Sequence, residues 1–155
     1  MRSYRALAAM AALSALALIS PAVAASAPTK QRIAITARAG INGFVLQPMG
    51  AGKLAPDSGT AEWCCWSRRF LIRDGQRVEV NNPLAALTGK RGTLVLRWRI
   101  EWLDAGNGYT IGASTWKVVR GTGVYDGISG RGRGAASWLP RGPVTFRAEG
   151  FLRSG

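Results

Sequence analysis

From residue 31 onward, apolar and polar residues alternate at period two, and no segment sustains the 3.6-residue period of an amphipathic helix. The clearest run is Thr93–Trp102, where Leu94, Leu96, Trp98, Ile100 and Trp102 share one parity while Thr93, Val95, Arg97, Arg99 and Glu101 share the other. One apolar and one charged face describe a strand of an antiparallel sheet that is wet on one side. Val144, Phe146, Ala148, Gly150 and Leu152 repeat the pattern against Thr145, Arg147, Glu149, Phe151 and Arg153. Ile33, Ile35 and Ala37 repeat it against Arg32, Thr36 and Arg38. The alternation and its punctuation predict strands over about 31–38, 43–48, 60–73, 76–81, 84–88, 93–103, 109–120, 128–138 and 143–152, one or two of the short ones irregular. Asp74-Gly75 marks a tight hairpin and Asn81-Asn82-Pro83 a strand end. Gly89–Gly92 and Pro140–Pro143 mark further turns, and Asp104–Gly108 a polar loop.

Many short strands without helices imply a sandwich or a barrel. The segment Thr115–Ala136 decides for the barrel. A β-type run enters a glycine-dense turn and leaves it with Gly130, Gly132 and Gly134 at one parity. Such glycines empty one face of a strand where strong curvature would crowd the interior. Arg131 and Arg133 then point the other way, to solvent. The expected fold is all-β: a closed or nearly closed antiparallel up-and-down barrel of about eight strands, its last strand pairing back onto an early one to protect both edges. Trp98, Trp102 and Trp116 are expected in its core.

Ahead of this domain, Arg2 and Arg5 precede the apolar run Ala6–Ile19, Ser20-Pro21 breaks it, and Ala22-Val23-Ala24 offers small residues for cleavage. This is the pattern of a secretory signal peptide and is too short for a membrane span. The expected organisation is a signal peptide over 1–24, a short tail over 25–30 and one barrel domain over 31–155, secreted or periplasmic, with no membrane span in the mature form. Loss of Arg2 and Arg5 takes the 21 basic residues to 19, against 8 acidic ones, a net of +11. A charge of that size on an exported protein favours anionic polymers or lipid surfaces, although arginine spread over exposed strand faces gives the same total. The candidates for such a surface are Arg97, Arg99, Arg131 and Arg133.

The chain has no histidine, so no Ser-His-Asp or Cys-His arrangement is available. Any acid–base chemistry falls to the eight carboxylates, tyrosine or cysteine, with Glu62, Glu79, Glu101, Tyr125 and Cys64 or Cys65 as the candidates of an enzyme, and no two carboxylates stand close enough in sequence to nominate as a pair. Gly121–Gly127 has the wrong spacing for a dinucleotide loop, and Gly89-Lys90 lacks the rest of a phosphate loop. One short Arg-Gly repeat inside a hairpin does not make a nucleic-acid segment, and no cofactor or metal is expected. The two cysteines are adjacent in Trp63-Cys64-Cys65-Trp66. Three states stay open for them: one thiol buried and one exposed, a strained vicinal disulfide at a bulge, or a bridge between two chains. The oligomeric state is open with them.

The run Trp116-Lys117-Val118-Val119-Arg120-Gly121-Thr122-Gly123-Val124-Tyr125-Asp126-Gly127-Ile128-Ser129-Gly130-Arg131-Gly132 resembles the glycine hairpin of the allene oxide cyclase-like and dirigent-like barrels, and of small exported bacterial proteins that carry it. Leu87–Leu94 is similar to the turn before the long strand in those bacterial members. The resemblance covers about residues 84–152 and implies an eight-stranded, calycin-like antiparallel barrel whose interior is side-chain-filled or holds a small ligand. The plant cyclases place a carboxylate near their first strand, whereas Gln31–Gly43 contains no Asp or Glu. The cavity acids and arginines of dirigent proteins find no alignable counterparts, so no catalytic residue is carried over.

The resulting expectation is a secreted cationic barrel that binds, without catalysis, a small apolar or amphipathic ligand or an anionic envelope surface. Trp98, Trp116, Tyr125 and Glu101 are its candidate ligand contacts. The alternatives are an isomerase or cyclase-like enzyme on a hydrophobic substrate, and a structural or host-interaction module.

Overall fold

The computed structural model describes residues 29–39 and 43–154. The signal-peptide expectation and most of the tail expected before residue 31 lie outside the described residues. The strands are β1 (Lys30–Ala39), β2 (Gly43–Met49), β3 (Asp57–Cys64), β4 (Arg68–Arg73), β5 (Gln76–Asn81), β6 (Leu84–Gly89), β7 (Gly92–Gly106), β8 (Tyr109–Gly121), β9 (Ser129–Trp138) and β10 (Val144–Arg153). A single 3₁₀ turn, Gly123–Tyr125, sits between β8 and β9.

Eight of these strands close into an antiparallel barrel in the order β1–β2–β3–β6–β7–β8–β9–β10 and back to β1. The closing seam is the pairing of first and last strands, in register from Lys30↔Arg153 to Ala39↔Val144. The β4–β5 hairpin is inserted between β3 and β6 and extends the sheet beside β7 through Glu79↔Trp102 to Asn81↔Ile100.

Two sequence expectations need correction. The strand expected over 60–73 is two strands. β3 ends at Cys64, Cys65 takes a left-handed φ of 60°, and the chain leaves the barrel before β4 starts at Arg68. The loop expected over Asp104–Gly108 is instead a two-residue turn. β7 runs on to Gly106, and Asn107 and Gly108 adopt φ of 54° and 78°, as a type I′ hairpin requires. Asp74-Gly75 makes the same kind of turn, as expected, with φ of 51° and 76°.

The interior is apolar and filled by side chains. Ile33, Ile35, Leu46, Leu96, Trp98, Ile100, Phe146 and Leu152 are all at most 1% exposed. Trp63 stacks on Phe146 at 4.3 Å between ring centres, and Trp98 lies 5.9 Å from Trp63 and 5.7 Å from Phe146. Each buried indole contributes up to about 4–6 kcal/mol of apolar transfer energy.

The glycines of β9 face inward, as their parity predicts. Gly132 pairs with Trp116 on one side and with Gly150 on the other. A Cβ at Gly132 would lie 2.5 Å from Cε2 and Nε1 of Trp116, and one at Gly150 would lie 2.5 Å from Cζ2 of the same ring. The indole of Trp116 therefore lies on a floor made by two glycines.

Candidate functional site: a cationic groove on the outer barrel wall

Because side chains alternate along a strand, each inward residue of β7, β8, β9, β10 and β1 has an outward neighbour. The register places five of these in one line across the wall: Arg97↔Lys117, Lys117↔Arg131, Arg131↔Phe151 and Phe151↔Arg32. Adjacent strands lie about 4.8 Å apart, so the line is about 19 Å long. A second line runs beside it, Arg99↔Thr115, Thr115↔Arg133 and Arg133↔Glu149. Lys30 and Arg153, directly paired, extend the patch at one end.

These residues line an open, concave groove of about 1280 Å³. A smaller hollow of about 520 Å³ continues it past Arg133 and Glu149 to Arg147.

The charge is lopsided. Glu149 pairs with Arg32 at 2.5 Å, and Glu101 accepts from Arg99 and, at 2.5 Å, from Arg73. The Arg99 hydrogen bond, with the nearby Arg73 charge, holds the Glu101 carboxyl below its usual range against the opposing effect of burial. Among the described residues no carboxylate lies within ion-pair distance of Arg97, Lys117, Arg131, Arg133 or Arg153. Like charges directly opposite on neighbouring strands are destabilising, by about 1 kcal/mol per pair in water at this spacing before salt screening. Lys30 holds its ammonium 3.9 Å from the centre of the Phe151 ring, a cation–π contact inside the groove.

All four arginines singled out from the sequence thus meet on one surface. Sequence reasoning missed Lys30, Arg32, Lys117 and Arg153. The parity that exposes them was visible, but the register that aligns five strands was not.

The candidate ligand contacts divide differently. Trp98, Trp116 and Tyr125 are 0%, 2% and 1% exposed and belong to the core. Glu101 lies on the outer face, engaged by two arginines. Tyr125 donates from its hydroxyl to Asp57 Oδ2 at 3.0 Å, and Asp57 also accepts the backbone N–H groups of Ser58 (2.9 Å), Lys90 (3.1 Å) and Arg91 (3.4 Å). Burial, then the Asp57 hydrogen bond and charge, push the Tyr125 phenol well above its ordinary value. This buried pair fastens the β6–β7 turn and the 3₁₀ turn to the barrel end. Glu62 is exposed, and Glu79 pairs with Arg68 at 2.9 Å.

Cys64 and Cys65 are both exposed free thiols. Of the three states left open, the buried-and-exposed pair does not occur because the strand ends between the two residues, so their side chains do not fall on opposite faces of a sheet, and no vicinal disulfide joins them. Among the described residues the buried side-chain polar atoms without a hydrogen-bond partner are the indole N–H groups of Trp63, Trp98 and Trp116 and the hydroxyl of Ser114. Among the described residues no group of three or more His, Cys, Asp or Glu could hold a metal ion, and no helix is long and apolar enough to cross a membrane.

Comparison with models of known protein families, with curated proteins and with solved structures finds no match for this chain.

Proposed function

We propose that this protein is an exported, non-catalytic binding barrel whose outer groove holds a linear acidic polysaccharide. The observation that carries the reading is the line Arg97–Lys117–Arg131, three directly opposed cations with no carboxylate among them. Folding gains nothing from that arrangement, and a bound polyanion turns its repulsion into attraction. The concave shape favours a chain laid along the wall over a flat bilayer. The exposed rim of Phe151 adds apolar surface of the kind sugar rings use.

A small ligand inside the barrel has one observation in its favour, the unpaired N–H groups of Trp63, Trp98 and Trp116. Such a guest would have to be a hydrogen-bond acceptor, and it would compete with side chains that already fill the space.

The test is binding of polygalacturonate at graded NaCl. The wild type is expected to bind with a steep salt dependence. The Arg97→Gln/Arg131→Gln double variant should bind about tenfold more weakly with a shallower salt slope. Lys53→Gln/Arg141→Gln, which removes the same charge away from the groove, should bind like the wild type. Equal losses in both variants would reduce the effect to net charge and overturn the site. Preference for anionic vesicles over the polysaccharide would overturn the choice of partner.

A further inference from the structure

The Trp63–Trp66 segment carries a second, chemically separate feature. Cys64 is the last residue of β3, and the left-handed φ of 60° at Cys65 is a conformation that residues with a side chain seldom adopt. The chain reverses direction at the second thiol, and the neighbouring Cys65 side chain pushes the Cys64 thiol above its ordinary value. Both remain exposed. The flanking rings of Trp63 and Trp66 stack at 6.1 Å between centres with 23° between their planes, which braces the turn from both ends. Internal oxidation is disfavoured because neighbouring Cα atoms lie about 3.8 Å apart, below the usual disulfide range of about 4.4–6.8 Å.

Two adjacent exposed thiols, in a chain without histidine and with no group of three or more metal-ligating side chains among the described residues, fall short of the four-ligand set of zinc. They suit a soft ion that is content with few sulfur ligands. The charge around the pair fits as well. Cys64 pairs with Leu84, which pairs with Arg97, so the dithiol stands at the end of the cationic line.

We propose that Cys64 and Cys65 form a two-thiolate site for a soft monovalent metal ion of the copper(I) type. Two S–H bonds are lost, two S–metal bonds form, two protons pass to solvent, and the metal keeps its oxidation state. The complex carries one net negative charge, and Arg97 supplies the compensating positive one.

The experiment uses the reduced mature protein under anaerobic conditions, with copper(I) competed by a colorimetric copper(I) chelator and the stoichiometry read by native mass spectrometry. One ion per monomeric chain is expected, with quenching of tryptophan emission from the flanking rings. Excess zinc should leave binding unchanged. Cys64→Ser and Cys65→Ser, each checked for folding by circular dichroism, should each weaken binding by more than about 100-fold. Arg97→Gln should weaken it by about tenfold through the lost counter-charge. Half an ion per chain with dimer formation, full affinity in folded Cys65→Ser, or no binding by the wild type would each overturn the proposal. Polysaccharide binding by the two serine variants should stay at the wild-type level, which separates this site from the groove.

Discussion

Two rows of residues cross the same five strands, one position apart, and follow opposite rules. The inner row is Trp98, Trp116, Gly132, Gly150 and Ile33; the outer row is Arg97, Lys117, Arg131, Phe151 and Arg32. In the inner row size complements size, a large indole against two residues with no side chain. In the outer row Arg97, Lys117 and Arg131 repeat one charge on neighbouring strands, and each makes the next less favourable. The inner row is thereby explained by stability alone. The three opposed cations of the outer row gain nothing from folding, which is why the proposed function rests there.

The sharpest way to break this contrast is Gly132→Ala. Its methyl group would meet the Trp116 ring at 2.5 Å and the Glu149 carbonyl oxygen, and the backbone of a paired strand cannot retreat. A loss of about 3 kcal/mol in urea unfolding is expected, with unchanged m-value. A loss below about 0.5 kcal/mol would mean that the indole does not lie on the glycine floor, and the inner row would lose its explanation.

The inner row was legible in the sequence because period two and the shared parity of Gly130, Gly132 and Gly134 are local signals. The outer row was legible only in part. Arg97, Arg99, Arg131 and Arg133 stand out as alternating arginines, yet that β1 follows β10 in the wall, and so brings Arg32 and Lys30 to the groove, is a property of barrel closure. Asp57 carried no local signal, because its partners Lys90, Arg91 and Tyr125 come from 33 to 68 residues away. The break after Cys64 was hidden for a different reason: Trp63-Cys64-Cys65-Trp66 has high strand propensity and none of the glycine, asparagine or aspartate that announces a left-handed residue.

Tyr125→Phe sharpens the comparison at intermediate cost, because it tests a buried polar contact at the barrel end where the inner row tests packing. Removing the hydroxyl takes one of four donors from the buried Asp57 carboxylate, and about 1–3 kcal/mol should be lost at neutral pH. The pH dependence gives a second readout. The folded phenol holds its proton above the ordinary value, whereas the unfolded chain releases it near pH 10. Stability is therefore full below about pH 10 and falls as pH rises further, since the unfolded state then binds fewer protons. The phenylalanine variant should lack that alkaline decline, and persistence of the decline would place its origin elsewhere.

The smallest effect has the opposite sign. Arg97→Gln/Arg131→Gln relieves the repulsion on either side of Lys117 while touching no inward residue. Stability should stay level or rise by up to about 1 kcal/mol at low salt, and the gain should fade as salt screens the wild-type charges. Thermal unfolding at two NaCl concentrations measures both. A variant less stable than wild type by 1 kcal/mol or more would show that the outer side chains hold the wall together, and the row would then need no partner. A gain that tracks ionic strength, beside weakened polyanion binding, would mean that the protein carries a standing cost in its outer wall for the sake of what it binds there.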